Sequence, residues 1–234
     1  VDGGPQERRR YLDWGVFHVE PSFVDHWRRY QRALRQRNAA LKAGQAPAVI
    51  HAWDSELIEA GEEVVEYRQR YVAGLRNSVR EVAQRLLGAE VDLGLYQGWS
   101  AERGLAAALE HSFPRDRERG LTHAGPHRAD LSVKVAGETA RDRVSRGQQK
   151  LLAAAMLLGQ LGHDAALGSG VATLLVDDPA AELDATHLER LLQEVMSLPA
   201  QLFITSLDPR NPVLRNLPEG RKFHVEHGTV TGLL

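Results

Sequence analysis

Three apolar residues, Leu174-Leu175-Val176, end on two acids, Asp177-Asp178, and meet Pro179. A short apolar run with that boundary predicts a buried strand at 173–176 that stops on a pair of carboxylates. Upstream, Ser145-Arg146-Gly147-Gln148-Gln149-Lys150 opens a helical pattern that runs to about residue 161. Downstream follow a helix around 188–195 and a strand at 201–205, with a terminal hairpin expected around 222–230. Helix and strand in alternation restrict this half of the chain to an α/β sheet. It looks short of strands for an independent doubly wound domain, and strands supplied from upstream would explain that.

The first half reads differently. Residues 1–20, with Gly3-Gly4-Pro5 and the aromatics Tyr11, Trp14 and Phe17, read as an ordered connecting segment with a short helical turn around 8–12. After Pro21, the apolar positions Trp27, Tyr30, Leu34 and Leu41 recur at helical spacing up to a break between Gly44 and Pro47. Trp53, Leu57, Val64, Tyr67, Tyr71, Leu75, Val82 and Leu86 then lie close to a heptad stripe, which predicts a long helix and, with its predecessor, a short helical arm or antiparallel hairpin. Alternation over 91–96 predicts a strand, Ser100 is placed to cap a helix ending near 111, and Leu131, Val133 and Val135 mark a half-buried strand. A helical lobe at 20–112 and an α/β portion at 121–234 follow.

At 234 residues with 43% hydrophobic and 26% charged residues, the chain can bury a substantial core. Its 29 basic and 31 acidic side chains nearly cancel, so net charge selects no partner. The local distribution says more: Arg8-Arg9-Arg10, Arg28, Arg29, Arg32, Arg35 and Arg37 concentrate positive charge near the start. Arg28, Arg29, Arg32 and Arg35 are candidate contacts for a DNA backbone, with a solvated helical face as the plain alternative. The absence of cysteine removes disulfides and thiolate metal sites and suits a cytoplasmic location. No membrane span or signal peptide is expected. The sequence has no initiator methionine, which agrees with an excised fragment or with processing.

In an α/β sheet, ligands collect at the carboxyl ends of strands, so Asp177 could hold a hydrated Mg²⁺ and Asp178 could polarise water near a terminal phosphate. Two solvent-facing acids ending a strand would look the same. Ser145, Arg146, Gly147 and Gln148 offer an anion a hydroxyl, a glycine permitting close approach and the unpaired N–H groups of a helix start. An ordinary capped turn would also produce that pattern. No GxxxxGK[ST] phosphate loop occurs in the sequence. His127 has no persuasive metal-ligand spacing, and Ser145 lacks the setting of a hydrolase nucleophile.

The order of these features narrows the choice. Gly3-Gly4-Pro5 with Arg8-Arg9-Arg10, Leu12-Asp13-Trp14-Gly15-Val16-Phe17-His18, Arg29-Tyr30-Gln31-Arg32-Ala33-Leu34, Gln36-Arg37-Asn38, Gly125-Pro126-His127-Arg128-Ala129-Asp130, Ser145-Arg146-Gly147-Gln148-Gln149-Lys150 and Asp177-Asp178 with Glu182-Leu183-Asp184 together resemble the RecF family. These are bacterial DNA replication and repair proteins related to the structural-maintenance-of-chromosomes ATPases. The resemblance spans nearly the whole chain. It implies an α/β fold that is the C-terminal part of an ABC-type ATPase head, a P-loop NTPase sheet, with an α-helical lobe containing a short helical arm.

The resemblance also implies roles. Asp177 becomes the Mg²⁺-associated acid, and Asp178 stands where related ATPases carry a catalytic glutamate. Ser145, Arg146, Gly147 and Gln148 would meet ATP bound by the other subunit, and Asp184 would belong to a loop communicating across the dimer. Thr205 or Ser206 occupies the region where many cassette proteins carry a histidine, and His187 is no substitute for it. The phosphate loop would lie upstream. For a full-length protein the family implies an ATP-dependent homodimeric clamp assisting recombinase loading at gapped or junction DNA, with RecR and RecO as partners. By itself the segment would be inactive as an ATPase. The alternative is a noncatalytic DNA-binding or protein-interaction module with an ABC-like fold.

Overall fold

The computed structural model describes residues 3–140, 144–208 and 220–233, with the single positions 212 and 217. Backbone contacts gather the chain into two compact units, Val1–Ala172 and Thr173–Leu234.

In the first unit, helix α1 (Pro5–Val19) starts with proline at its first position and carries Glu7 in its first turn, both suited to a helix N-terminus. It is a full helix where the sequence suggested a connection with a single turn at 8–12. Its buried positions are Leu12, Gly15 and Val16, too few to register as an amphipathic stripe. Gly15 allows the close packing, because a Cβ there would collide with the Tyr71 hydroxyl and the Gln160 amide.

Helix α2 (Phe23–Lys42) and the short α3 (Pro47–His51) lead into α4 (Asp54–Leu87), which ends at Gly88 in the left-handed conformation. Arg29 pairs with Glu56 and Glu59, and Arg37 with Asp54. The reversed order of those partners makes α2 and α4 an antiparallel hairpin. Its buried seam includes Tyr30 and Leu34 on one helix and Leu57, Val64 and Leu75 on the other.

Strand β1 (Val91–Tyr96) pairs antiparallel with β2 (Asp130–Val135), setting Leu93 opposite Val133 and Leu95 opposite Leu131; β2 then pairs with β3 (Glu138–Thr139). Between them, α5 spans Leu105–Arg119 with Gly104 at its N-cap. Ser100 is therefore not its cap. The Ser100 hydroxyl instead accepts the Glu102 N–H, while the Trp99 indole N–H donates to the Arg103 carbonyl, closing a separate turn ahead of the helix. Nor does α5 stop near residue 111. It continues through Pro114 to Gly120, at φ 66°; the carbonyl orphaned by Pro114 belongs to exposed Glu110, where water can satisfy it.

Helix α6 (Arg146–Ala166) packs on α4, where Gly159 lies against the Val79 backbone. The second unit contains β4 (Ala172–Val176, entered from the first), α7 (Ala185–Ser197), β5 (Ala200–Ile204) and the hairpin of β6 (Lys222–Glu226) with β7 (Thr229–Leu233). Leu188, Leu191, Leu192 and Val195 form the buried face of α7. The Thr205 N–H donates to the Val176 carbonyl at 3.0 Å, so β4 and β5 run parallel and finish at one edge.

Candidate nucleotide site and basic surface

Asp177 and Asp178 stand at the shared carboxyl edge of β4 and β5. The Thr205 hydroxyl donates to Asp177 Oδ1 at 2.5 Å and accepts the Asp178 N–H at 3.0 Å. Asp178 is left-handed, at φ 36° and ψ 55°, and precedes Pro179. A non-glycine residue is uncommon there and is kept by its surroundings; here they include the Thr205 contact and a longer one, 3.5 Å, from the Leu207 N–H to Asp178 Oδ1.

Asp184 caps α7, accepting the His187 N–H at 3.0 Å while its second oxygen lies 2.7 Å from His187 Nδ1. Those hydrogen bonds hold its carboxyl below the usual range. His187 thus serves the cap of its own helix.

Ser145 begins α6 with a reciprocal capping box: its hydroxyl accepts the Gln148 N–H at 3.4 Å, and its own N–H donates to Gln148 Oε1 at 3.0 Å. Ser145, Arg146, Gly147 and Gln148 are exposed, and apart from the chain neighbours and the backbone of its own helix no atom of the described residues lies within 4 Å of where a Gly147 side chain would stand. The box leaves the first-turn N–H groups of Arg146 and Gly147 directed outward from a 21-residue helix, the favourable end for an anion. Ser145 and the acid pair fall in different compact units.

Among the described residues, no three His, Cys, Asp or Glu side chains converge as a metal cage. The oxygen-only pair Asp177 and Asp178 nevertheless suits Mg²⁺, which keeps much of its water and takes one or two carboxylates together with substrate phosphates.

Arg28, Arg32 and Arg35 are exposed on one face of α2, at successive helical offsets, and Lys42 continues that face. Gly120, which ends α5, abuts Lys42, and exposed Arg117 and Arg119 occupy the preceding turn. Arg29 differs: it binds Glu56 through two nitrogens, at 2.8 and 3.0 Å, and Glu59 at 3.0 Å. Sequence reading missed Lys42, Arg117 and Arg119 as neighbours of that face, because nothing local indicates that α2 and α5 end side by side.

The motif 125–130 is absorbed into internal contacts. The Pro126 carbonyl accepts from Arg68, the Ala129 carbonyl from Arg9, and Asp130 takes a two-pronged contact from Arg8. His127 Nε2 reaches the Thr122 carbonyl at 2.9 Å and Nδ1 the Tyr30 hydroxyl at 2.5 Å.

No protein-family model matches the chain. It is 44% identical over 237 residues to the DNA replication and repair protein RecF of Stenotrophomonas maltophilia, covering 100% of this chain and 65% of that protein. RecF of Pseudomonas aeruginosa is 42% identical, over 99% of this chain and 64% of its own length. Two solved structures of the recombination mediator RecF, described with ATP and ATPrS in the RecFOR pathway, superpose with TM-scores of 0.83 and 0.84 at 22% and 21% identity. They cover 99% and 100% of this chain and 64% and 65% of theirs, and share its fold. The Smc head domain of Pyrococcus furiosus, with an extended coiled coil, follows at a TM-score of 0.51 and 14% identity, over 99% of this chain and 58% of its own. The chain spans about two thirds of the length of the RecF proteins it matches.

Proposed function

Because this chain belongs to the RecF family, with the α/β fold of part of an ABC-type ATPase head, we propose that the full-length protein is an ATP-dependent DNA-binding clamp. It acts in DNA replication and repair, assisting recombinase loading at gapped or junction DNA in company with RecR and RecO. Residues 20–112 serve as its helical lobe and 121–234 as the C-terminal part of its head. Its setting is the cytoplasm; no helix among the described residues is long and apolar enough to cross a membrane.

The observation that carries this reading is the pair Asp177 and Asp178 at the common carboxyl edge of two parallel strands, where α/β sheets bind ligands. Asp177 is assigned to a hydrated Mg²⁺ and Asp178 to orienting and polarising the attacking water. When bound, the cation neutralises charge on the terminal phosphates of ATP. From a second copy, Ser145, Arg146, Gly147 and Gln148 bring the N-terminus of α6 to those phosphates, and Asp184 lies on the loop that faces that copy. Closure around two ATP molecules then favours the dimer by binding energy, and hydrolysis releases it. Arg28, Arg32, Arg35 and Lys42 give the DNA backbone a sequence-independent contact.

The test is ATP binding, hydrolysis and ATP-dependent dimerisation in the full-length protein. The Asp178→Asn variant should keep nucleotide binding and lose most hydrolysis. A wild type that binds DNA with no response to ATP would favour the second reading, a noncatalytic interaction module.

A further inference from the structure

We propose that Thr205 is a positioning residue for the acid pair: its hydroxyl sets Asp177 and the strained Asp178 backbone in register with β5. This rests on the ATPase reading above.

A hydroxyl has one proton. At Thr205 that proton is committed to Asp177, an acceptor only, so the Asp178 N–H at 3.0 Å must be received by a lone pair of the same oxygen. One atom just past the end of β5 thereby fixes a side chain and a backbone group of consecutive residues beyond β4. The adjoining rung, Thr205 N–H to the Val176 carbonyl at 3.0 Å, anchors Thr205 itself.

The contact leaves two groups placed for chemistry. Thr205 engages Oδ1 of Asp177, so Oδ2 would be the less encumbered oxygen for a hydrated cation. Asp178 is held left-handed before Pro179, a conformation uncommon for a residue with a side chain, though less costly for aspartate than for most, and one that sets the direction of its carboxylate. Valine has the shape of threonine and can make neither hydrogen bond. Serine can make both.

The test uses the full-length protein with Thr205→Val and Thr205→Ser. In nucleotide-free protein, exchange of the Asp178 amide should speed up by about tenfold in Thr205→Val and stay near wild type in Thr205→Ser. In steady-state hydrolysis, Thr205→Val should lower kcat about tenfold with KM for ATP nearly unchanged, and raise the Mg²⁺ concentration for half-maximal activity by about tenfold. Thr205→Ser should restore all three. Equal impairment of both variants overturns the inference, because it would trace the loss to shape rather than the hydroxyl. Wild-type kcat and Mg²⁺ dependence in Thr205→Val overturns it as well. A wild type without hydrolysis overturns the ATPase reading instead, while unchanged Asp178 exchange in Thr205→Val overturns the hydroxyl lock on its own.

Discussion

Arg37 Nη1 lies 2.8 Å from Asp116 Oδ2, and neither side chain is exposed to solvent. Arg37 also donates to Asp54 at 2.7 Å and Thr122 at 2.9 Å, and Asp116 Oδ1 accepts the His123 N–H at 3.0 Å. One buried guanidinium therefore joins α2, α4, α5 and the segment leading to the 125–130 motif. Arg37→Met leaves the Asp116 carboxylate buried without its guanidinium and should cost about 3–5 kcal/mol in urea unfolding, whereas Asp116→Ala leaves Arg37 still paired with Asp54 and should cost less, about 2–3 kcal/mol. The double replacement Arg37→Met with Asp116→Leu should recover part of that loss.

His127 sets a pH dependence. The Thr122 carbonyl can only accept, so Nε2 carries the proton and Nδ1 accepts from Tyr30, an arrangement that needs the neutral ring. Burial foremost, with Arg128 and Arg9 adding to it, pushes its pKa down to about 4. Since the unfolded value is about 6.5, the unfolded chain binds more protons between those limits. The contribution is complete above about pH 6.5 and is lost as pH falls toward 4, by at most about 3 kcal/mol. His127→Gln should remove that slope from denaturation curves measured across the interval. Asp164, raised mainly by burial, contributes with the opposite sign in both proteins.

Two glycines separate packing from function. A Cβ at Gly159 would stand 2.8 Å from the Val79 Cα, so Gly159→Ala should lower stability by about 1–3 kcal/mol. Gly147 faces open space in the first turn of α6. Gly147→Ala should leave thermal stability equal or raised by about 0.5–1 kcal/mol, yet weaken ATP-driven dimerisation seen by light scattering, because the helix start can no longer approach phosphate as closely.

Charge on α2 is divided by partner. Arg32 and Arg35 are exposed, and Arg28 has only a 4.0 Å contact with equally exposed Asp25. Arg28→Ala, Arg32→Ala and Arg35→Ala combined should reduce the slope of log affinity for gapped DNA against log salt by about 2–3. Arg29→Ala should change that slope little, because Glu56 and Glu59 already engage its guanidinium. A salt series by fluorescence anisotropy separates the two.

How much of this was legible in sequence varied with the range of the determining contact. The alternation at Leu131, Val133 and Val135 gave its half-buried strand directly, since a strand face needs only its own period. The apolar run before Asp177 gave a strand too, but not the buried one expected, because every second residue of β4 is exposed and Leu175 is 74% accessible. Helix α1 was obscured because its buried positions are only Leu12, Gly15 and Val16, and a glycine, though it allows close packing, adds nothing to an apolar stripe. Ser100 has the chemistry of a helix cap but uses it on the Glu102 turn. Thr205 carried no motif of its own; its relation to Asp177 exists only once β4 and β5 lie side by side. Family resemblance supplied the grouping of Ser145 with Asp177 and Asp178, which no local pattern contains.

That grouping, with one copy's Ser145 completing the site at the other's acids, is tested most directly by mixing full-length Ser145→Arg with full-length Asp178→Asn, each inactive alone. In a symmetric dimer with shared sites, a mixed pair contains one site with Ser145 and Asp178 both intact, so random pairing should restore about a quarter of wild-type ATP hydrolysis. A mixture that stays as inactive as its components, although mixed dimers form with ATP, would contradict the shared site.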